Sequence, residues 1–200
     1  MRRPAERKTW RATVVLGVVG VTLYASSSQD ARAEDVAVPE RLQAELVAKM
    51  AGYDRGFAHR AGDRVHVVIV DKPDDPDSAR AATHLESAFH VLPDVGGLPH
   101  DEAIVSWQGA AALPELVRSR HAAIVYFTPG FAGDVGEIRA ALDGVDVLSV
   151  TAIPEYVARG IVLGFDVVSG KPKLLVNLGQ ARKQRVAFMA EVLKLARVYE

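Results

Sequence analysis

Two apolar runs, residues 65–70 (VHVVIV, interrupted only by His66) and 122–127 (AAIVYF), limit the architecture more than any other feature of the chain. Both lack the polar–apolar alternation of a strand with one wet face. Such runs read as strands buried on both faces, the condition of a parallel sheet covered by helices on either side. Helical patterns stand between them. Pro39 opens the first, because its missing N–H is no loss at the first helical position. Leu42, Leu46 and Met50 then recur every four residues. Residues 52–62, with three glycines, break that pattern. Residues 78–89 and 135–142 read as further helices, 113–119 as a short one and 153–158 as at most two turns. Residues 103–107 and 145–150 are strand candidates. Residues 161–168 and 174–177 flank Ser169-Gly170-Lys171-Pro172 and read as a hairpin. From Gly179 onward, Val186, Met189, Leu193 and Ala196 form one apolar stripe of a single long helix, and Phe188, Val192, Leu195 and Tyr199 form the next. The predicted fold is α/β: a three-layer sandwich with a mainly parallel central sheet, helices on both faces and a C-terminal β-hairpin plus long helix.

Residues 1–33 read as an address rather than as fold. Arg2, Arg3, Arg7, Lys8 and Arg11 precede thirteen uncharged residues, and a polar stretch then ends in Ala31-Arg32-Ala33. That is the layout of a secretory signal with an A-x-A cleavage site, so cleavage is expected between Ala33 and Glu34, leaving 34–200 as one domain. An uncleaved anchor is the alternative. Thirteen helical residues reach only about 20 Å, against a hydrocarbon core of roughly 30 Å. Cleavage would remove six basic and two acidic residues and leave 18 against 23, a net charge of −5. This acidic balance argues against nucleic acid as a partner and against direct membrane insertion after cleavage. The chain has no cysteine. Disulfides, thiol nucleophiles and Cys-ligated zinc are therefore excluded.

The motifs of enzymes do not assemble. Residues 128–136 (TPGFAGDVG) place three glycines between a strand and a helix, but Asp134 would oppose a phosphate and no P-loop lysine follows. Among the six histidines there is no H-x-x-x-H pair. His84 and His90 stand about 120° apart on a helix, and His100-Asp101-Glu102 reads as a solvated loop. His66, inside an apolar strand, reads as a satisfied core or edge histidine. There is no G-x-S-x-G elbow, and Asp74, Asp75 and Asp77 lie in a Pro-rich loop without an apolar wall to raise a pKa. No catalytic residue, metal site or cofactor is expected.

Four segments together resemble the YfiR-like family of small exported proteins (DUF4154). They are Lys49-Met50-Ala51-Gly52-Tyr53-Asp54-Arg55-Gly56-Phe57 with Arg60-Ala61-Gly62-Asp63 before the first strand; residues 123–127; residues 147–151 with Gly160-Ile161-Val162-Leu163; and Leu175-Val176-Asn177-Leu178 with Ala181 and residues 186–197. The resemblance spans about residues 40–198. It implies an α/β periplasmic protein, often dimeric, that regulates a membrane-bound signalling protein. The best-understood branch restrains a diguanylate cyclase and lowers cyclic di-GMP output. Cysteine pairs found in that branch are missing here, so redox gating is excluded.

On this reading the protein is a non-enzymatic regulator that docks on the periplasmic part of a diguanylate cyclase or histidine kinase. The alternative is a periplasmic small-ligand-binding sensor with its solute at the sheet's switch point. The expected partner or homodimer surface is Phe188, Val192, Leu195 and Tyr199. Asp54, Arg55 and Asn177 are candidate polar contacts to a ligand or partner, with a local salt bridge for the first two and an N-cap for Asn177 as the structural alternatives.

Overall fold

The computed structural model describes residues 38–200; the expected signal segment and the Ala33–Glu34 junction lie outside the described residues. The first apolar run forms β1 (Val65–Asp71) and the second forms β3 (Ala122–Phe127), whose six residues are all buried. With β2 (His100–Ser106), β4 (Leu148–Thr151), β5 (Leu163–Val168), β6 (Lys171–Asn177) and β7 (Arg197–Tyr199) they make a seven-stranded sheet in the order β2-β1-β3-β4-β5-β6-β7. The first five strands pair in parallel. β6 returns antiparallel through Ser169-Gly170, both at positive φ as a tight hairpin turn requires, and β7 pairs in parallel with β6.

Side chains of β1 alternate between two cores. Val65, Val67 and Ile69 join the cluster under α1 (Glu40–Gly52) and α3 (Pro76–His90). Val68 and Val70 join the opposite cluster with Leu113 and Val117 of α4 (Leu113–Arg120), Ile138 of α5 (Val135–Ala141) and Tyr156 of α6 (Pro154–Arg159). The α/β sandwich is therefore as expected. α3 starts where its chemistry dictates: Asp75 Oδ1 accepts the Asp77 and Ser78 amides at 3.0 Å each, and Pro76 takes the first helical position. On the α1 side, the buried Tyr126 hydroxyl donates to Gln43 Oε1, and Gln43 Nε2 donates to Val38 O. Burial, reinforced by Glu40, pushes the Tyr126 pKa far above its ordinary value, so the phenol stays a donor. Gly164 lets β5 approach α6, since a Cβ there would run into Val157 and lie 3.0 Å from Thr151 O.

Four local expectations are corrected. His100-Asp101-Glu102 is not a solvated loop but the start of β2, with the His100 and Glu102 side chains almost fully buried. The glycine-rich stretch 52–62 holds a short helix, α2 (Phe57–Ala61). The fourth strand is Leu148–Thr151 rather than 145–150. The long C-terminal helix does not form. α7 (Leu178–Lys183) ends before Arg185, whose φ is +57°. The next residues run extended: Ala187 N donates to Asp54 Oδ1 at 2.8 Å, Arg55 N to Ala187 O at 3.1 Å and Met189 N to Tyr53 O at 2.9 Å. One turn, α8 (Ala190–Leu193), precedes β7. The physical reason is competition. A buried carboxylate and the open edge of β6 offer this backbone better partners than its own helix, and tertiary bonds override propensity.

Candidate functional site

Folds of this kind bind ligands in the crevice beyond the carboxyl ends of the strands where the chain switches direction. Here that point lies between β1 and β3, and the protein's own side chains occupy it. Thr128 Oγ1 donates to Val70 O at 2.8 Å, Ser78 Oγ lies 2.6 Å from Thr128 Oγ1, and Lys72 N donates to Ser78 Oγ at 2.7 Å. Lys72 Nζ donates to Asp134 Oδ2 at 2.6 Å and lies 5.2 and 5.7 Å from the ring centres of Phe131 and Trp107. Gly130, at φ +99°, admits the Asp75 carboxylate to the place its own Cβ would take. The glycine-spaced loop 128–136 thus packs against the α3 cap. Its Asp134 is paired with a lysine.

An open cleft of about 500 Å³ lies further along the same carboxyl edge. Ala152, Ile153 and Pro154 follow β4 into it. The β5–β6 hairpin extends past the end of β4 and brings Phe165, Asp166 and Val167; β7 brings Arg197 and Tyr199. Phe165 is buried beneath, while the rim is charged: Arg197 reaches Asp166 at 3.4 Å, and Glu155 is exposed beside them. An apolar centre inside a polar rim is the anatomy of a contact surface.

The expected site residues separate. Phe188 and Val192 are buried in the α1–α3 core. Leu195 is 66% exposed and Tyr199 lines the cleft. The four do not form one stripe, because the helix that would align them is broken. Asp54 pairs with Arg60 rather than Arg55. Asp54 Oδ2 accepts from Arg60 at 2.7 Å, Oδ1 accepts the Gly56 and Ala187 amides, and Arg60 Nε continues to Asp146 at 2.6 Å. Both partners' side chains are almost fully buried, whereas Arg55 is exposed. The sequence places Arg60 in the Arg60-Ala61-Gly62-Asp63 segment but gives it no partner, and Asp146 carries no signal at all; Arg60 is turned to Asp54 by α2. Asn177 caps α7, accepting the Gln180 amide at 2.9 Å, and its Nδ2 donates to Val157 O at 2.9 Å. Asn177→Ala is expected to lower stability by about 2 kcal/mol in urea denaturation, since a cap and a buried hydrogen bond go together.

Two other groups are shifted. Asp143 is held below the usual carboxylate range, first by the hydrogen bond from Lys183. Tyr156 is pushed up by burial, against the opposing pull of the backbone at Phe131, Gly130 and Ala132. Neither shapes the cleft. Among the described residues no group of three or more His, Asp or Glu side chains is placed to hold a metal ion, and no helix is long and apolar enough to cross a membrane.

Residues 105–197 match the YfiR/HmsC-like family model, DUF4154. The matched stretch holds β3, the hairpin and nearly all of the cleft. The segment from Lys49 to Asp63 lies outside it. No curated protein matches the sequence. A conserved domain protein from Vibrio cholerae superposes with a TM-score of 0.59 at 14% identity, over 83% of this chain and 61% of its own. The ABC domain in complex with L-Trp from Streptococcus pneumonia gives 0.55 at 11%, over 81% and 62%. CD0873, a substrate binding protein with adhesive properties from Clostridium difficile, gives 0.53 at 9%, over 78% and 58%, in its ligand-free, open structure. The chain spans about three fifths of the length of these structures. At such identities the likeness is one of fold.

Proposed function

We propose, for a chain whose residues 105–197 match the YfiR/HmsC-like family model, that it is an exported, non-enzymatic regulator docking on the periplasmic part of a membrane-bound signalling protein. The partner is of the diguanylate cyclase or histidine kinase type, and docking modulates its output. The observation that carries this reading is the position of the cleft. The open concavity beside β5 and β7 falls almost wholly within the family-matched residues, while the switch-point crevice is filled by Lys72, Asp75, Ser78 and Thr128. The cleft suits a partner segment with one apolar side chain over Phe165 and polar neighbours matched to Arg197, Asp166 and Glu155.

The test is photo-crosslinking of the exported protein to membranes of its own cell. Arg197→Glu combined with Tyr199→Asp is expected to reduce capture of a membrane signalling protein at least about tenfold, with an unchanged circular dichroism spectrum. Full capture by this variant would place docking elsewhere. A second reading, small-solute sensing, is favoured by the ligand-scale volume of the same cleft and by the likeness to an L-Trp-bound domain. Calorimetric binding of a solute by a protein that crosslinks to nothing would select it.

A further inference from the structure

We propose that residues 103–106 of β2 take an extended segment of another protein as an eighth strand of the sheet, with one large apolar side chain of that segment in the pocket between β2 and α4 and an acidic residue beside it at Arg120. The surface stands apart from the cleft, which lies toward the opposite edge of the sheet beside β5 and β7.

β2 is an edge strand, and its register shows which of its backbone groups are spare. Val65 N donates to Pro99 O and Trp107 N to Asp71 O, both at 2.9 Å. Between these two bonds Val65–Asp71 pairs with His100–Ser106 without a shift. In a parallel ladder alternate residues of a strand bond to the same neighbour. The odd-numbered residues of β2 therefore serve β1, and Glu102, Ile104 and Ser106 turn N–H and C=O outward. No strand or loop among the described residues takes these groups.

Edge strands are ordinarily blunted by shortness, proline, lysine, a bulge or an inward-pointing charge. β7, at the other edge, has three residues and opens on Arg197. The amino half of β2 is guarded too. Its Glu102 side chain points inward, 9% exposed, and Arg64 donates to His100 O at 2.9 Å. Residues 103–106 (AIVS) carry none of these devices.

A pocket of about 270 Å³ opens beside that unguarded half, walled by Val70, Val105, Trp107, Leu113 and Leu116. The Trp107 ring stands edge-on against Phe131 at 5.1 Å, so this wall is preformed. Small-molecule pockets run from about 300 to 1,000 Å³; this one suits a single large side chain. Unpaired backbone along an edge and a pocket at its flank are the two halves of strand addition: main-chain bonds supply affinity, and the pocket reads one alternate side chain. Charge narrows the occupant further. Arg120 stands at the pocket with no carboxylate partner among the described residues, whereas Glu115 is paired with Arg118. A second copy of β2 would bring Asp101, Ala103 and Val105 to this face. None is large enough to fill the pocket, and Asp101 is held by His66 at 2.6 Å.

Amide exchange and a peptide library test this on the full chain. In the free protein, relative to intrinsic rates, the Ala103 and Val105 amides should exchange at least about tenfold more slowly than those of Ile104 and Ser106. Random seven-residue peptides displayed on phage are then selected on the protein. Enriched peptides are expected to share one large apolar residue with an acidic neighbour, and synthetic copies should slow exchange at Ile104 and Ser106. Ser106→Pro removes one outward N–H without touching the β1 ladder, and should weaken binding at least about fivefold, while Ser106→Ala binds as the wild type. Arg120→Glu should weaken it about threefold. N-methylation of one alternate set of peptide amides should abolish binding and of the other set spare it, a contrast that needs no variant to fold. Slow exchange of all four amides in the free protein overturns the proposal, with the chain itself on the edge if protection is independent of concentration and a second copy if it grows with concentration. So does a selection that enriches no common pattern, or peptides that bind Ser106→Pro fully and leave Ile104 and Ser106 exchanging as before.

Discussion

Asp54→Ala is expected to destabilise the protein by about 3–5 kcal/mol, a large fraction of the roughly 5–15 kcal/mol total stability of an ordinary domain. The substitution strands three donors, of which the Arg60 side chain is almost fully buried. The Gly56 and Ala187 amides lose the acceptor Oδ1, and the guanidinium of Arg60, whose side chain is 3% exposed, loses Oδ2. Asp146 still faces Arg60 Nε at 2.6 Å, which keeps the guanidinium partly compensated. Arg55→Ala, one residue away on the surface, should shift stability by no more than about 0.5 kcal/mol. Urea denaturation of the two variants measures the contrast. A loss below about 1 kcal/mol for Asp54→Ala would mean that solvent satisfies these donors and that the network is not structural. Asp54→Asn separates charge from geometry. It keeps an acceptor for the two amides and should recover part of the loss if the amides matter most.

This network shows why the sequence is legible in some places and opaque in others. β1 and β3 are readable because strands buried on both faces show as short, nearly continuous apolar runs, rich in valine and isoleucine in β1. The start of α3 is only partly readable: residues 78–89 read as helix, but Asp75, Pro76 and Asp77 read as a Pro-rich loop, whereas Asp75 caps the helix and Pro76 opens it. Asp54 and Arg60 are six residues apart, and they meet only because α2 turns the chain back; the neighbouring Arg55 is the more obvious partner on paper. The cleft is harder still. Its walls come from the end of β4, the middle of β5 and the last strand, and no local pattern announces a concavity made by a hairpin outreaching its neighbour. The C-terminal segment misleads for a different reason. Its apolar residues fit helical spacing, but Val186, Phe188 and Val192 are buried through an extended link and a single turn, and both conformations satisfy the same hydrophobic pattern.

That ambiguity gives the second large effect. Val192 and Leu195 are three residues apart, so a continuous helix would set them on one face and make their substitutions alike. In the broken segment they part company. Val192 is 5% exposed and packs into the α1–α3 core, whereas Leu195 is mostly in solvent just before β7. Val192→Asp buries an unpaired carboxylate and should destabilise by more than about 4 kcal/mol, enough to leave much of the protein unfolded at 37 °C. Leu195→Asp should change stability by less than about 0.5 kcal/mol. Thermal melts followed by circular dichroism decide between the geometries, and similar losses for both variants would restore the single helix and remove the extended link. The same pair bears on docking. Leu195 precedes the strand that carries Arg197 and Tyr199 to the cleft. A folded Leu195→Asp protein with weakened capture would extend the contact surface from the cleft onto the exposed edge of β7. Unchanged capture would confine it to the cleft.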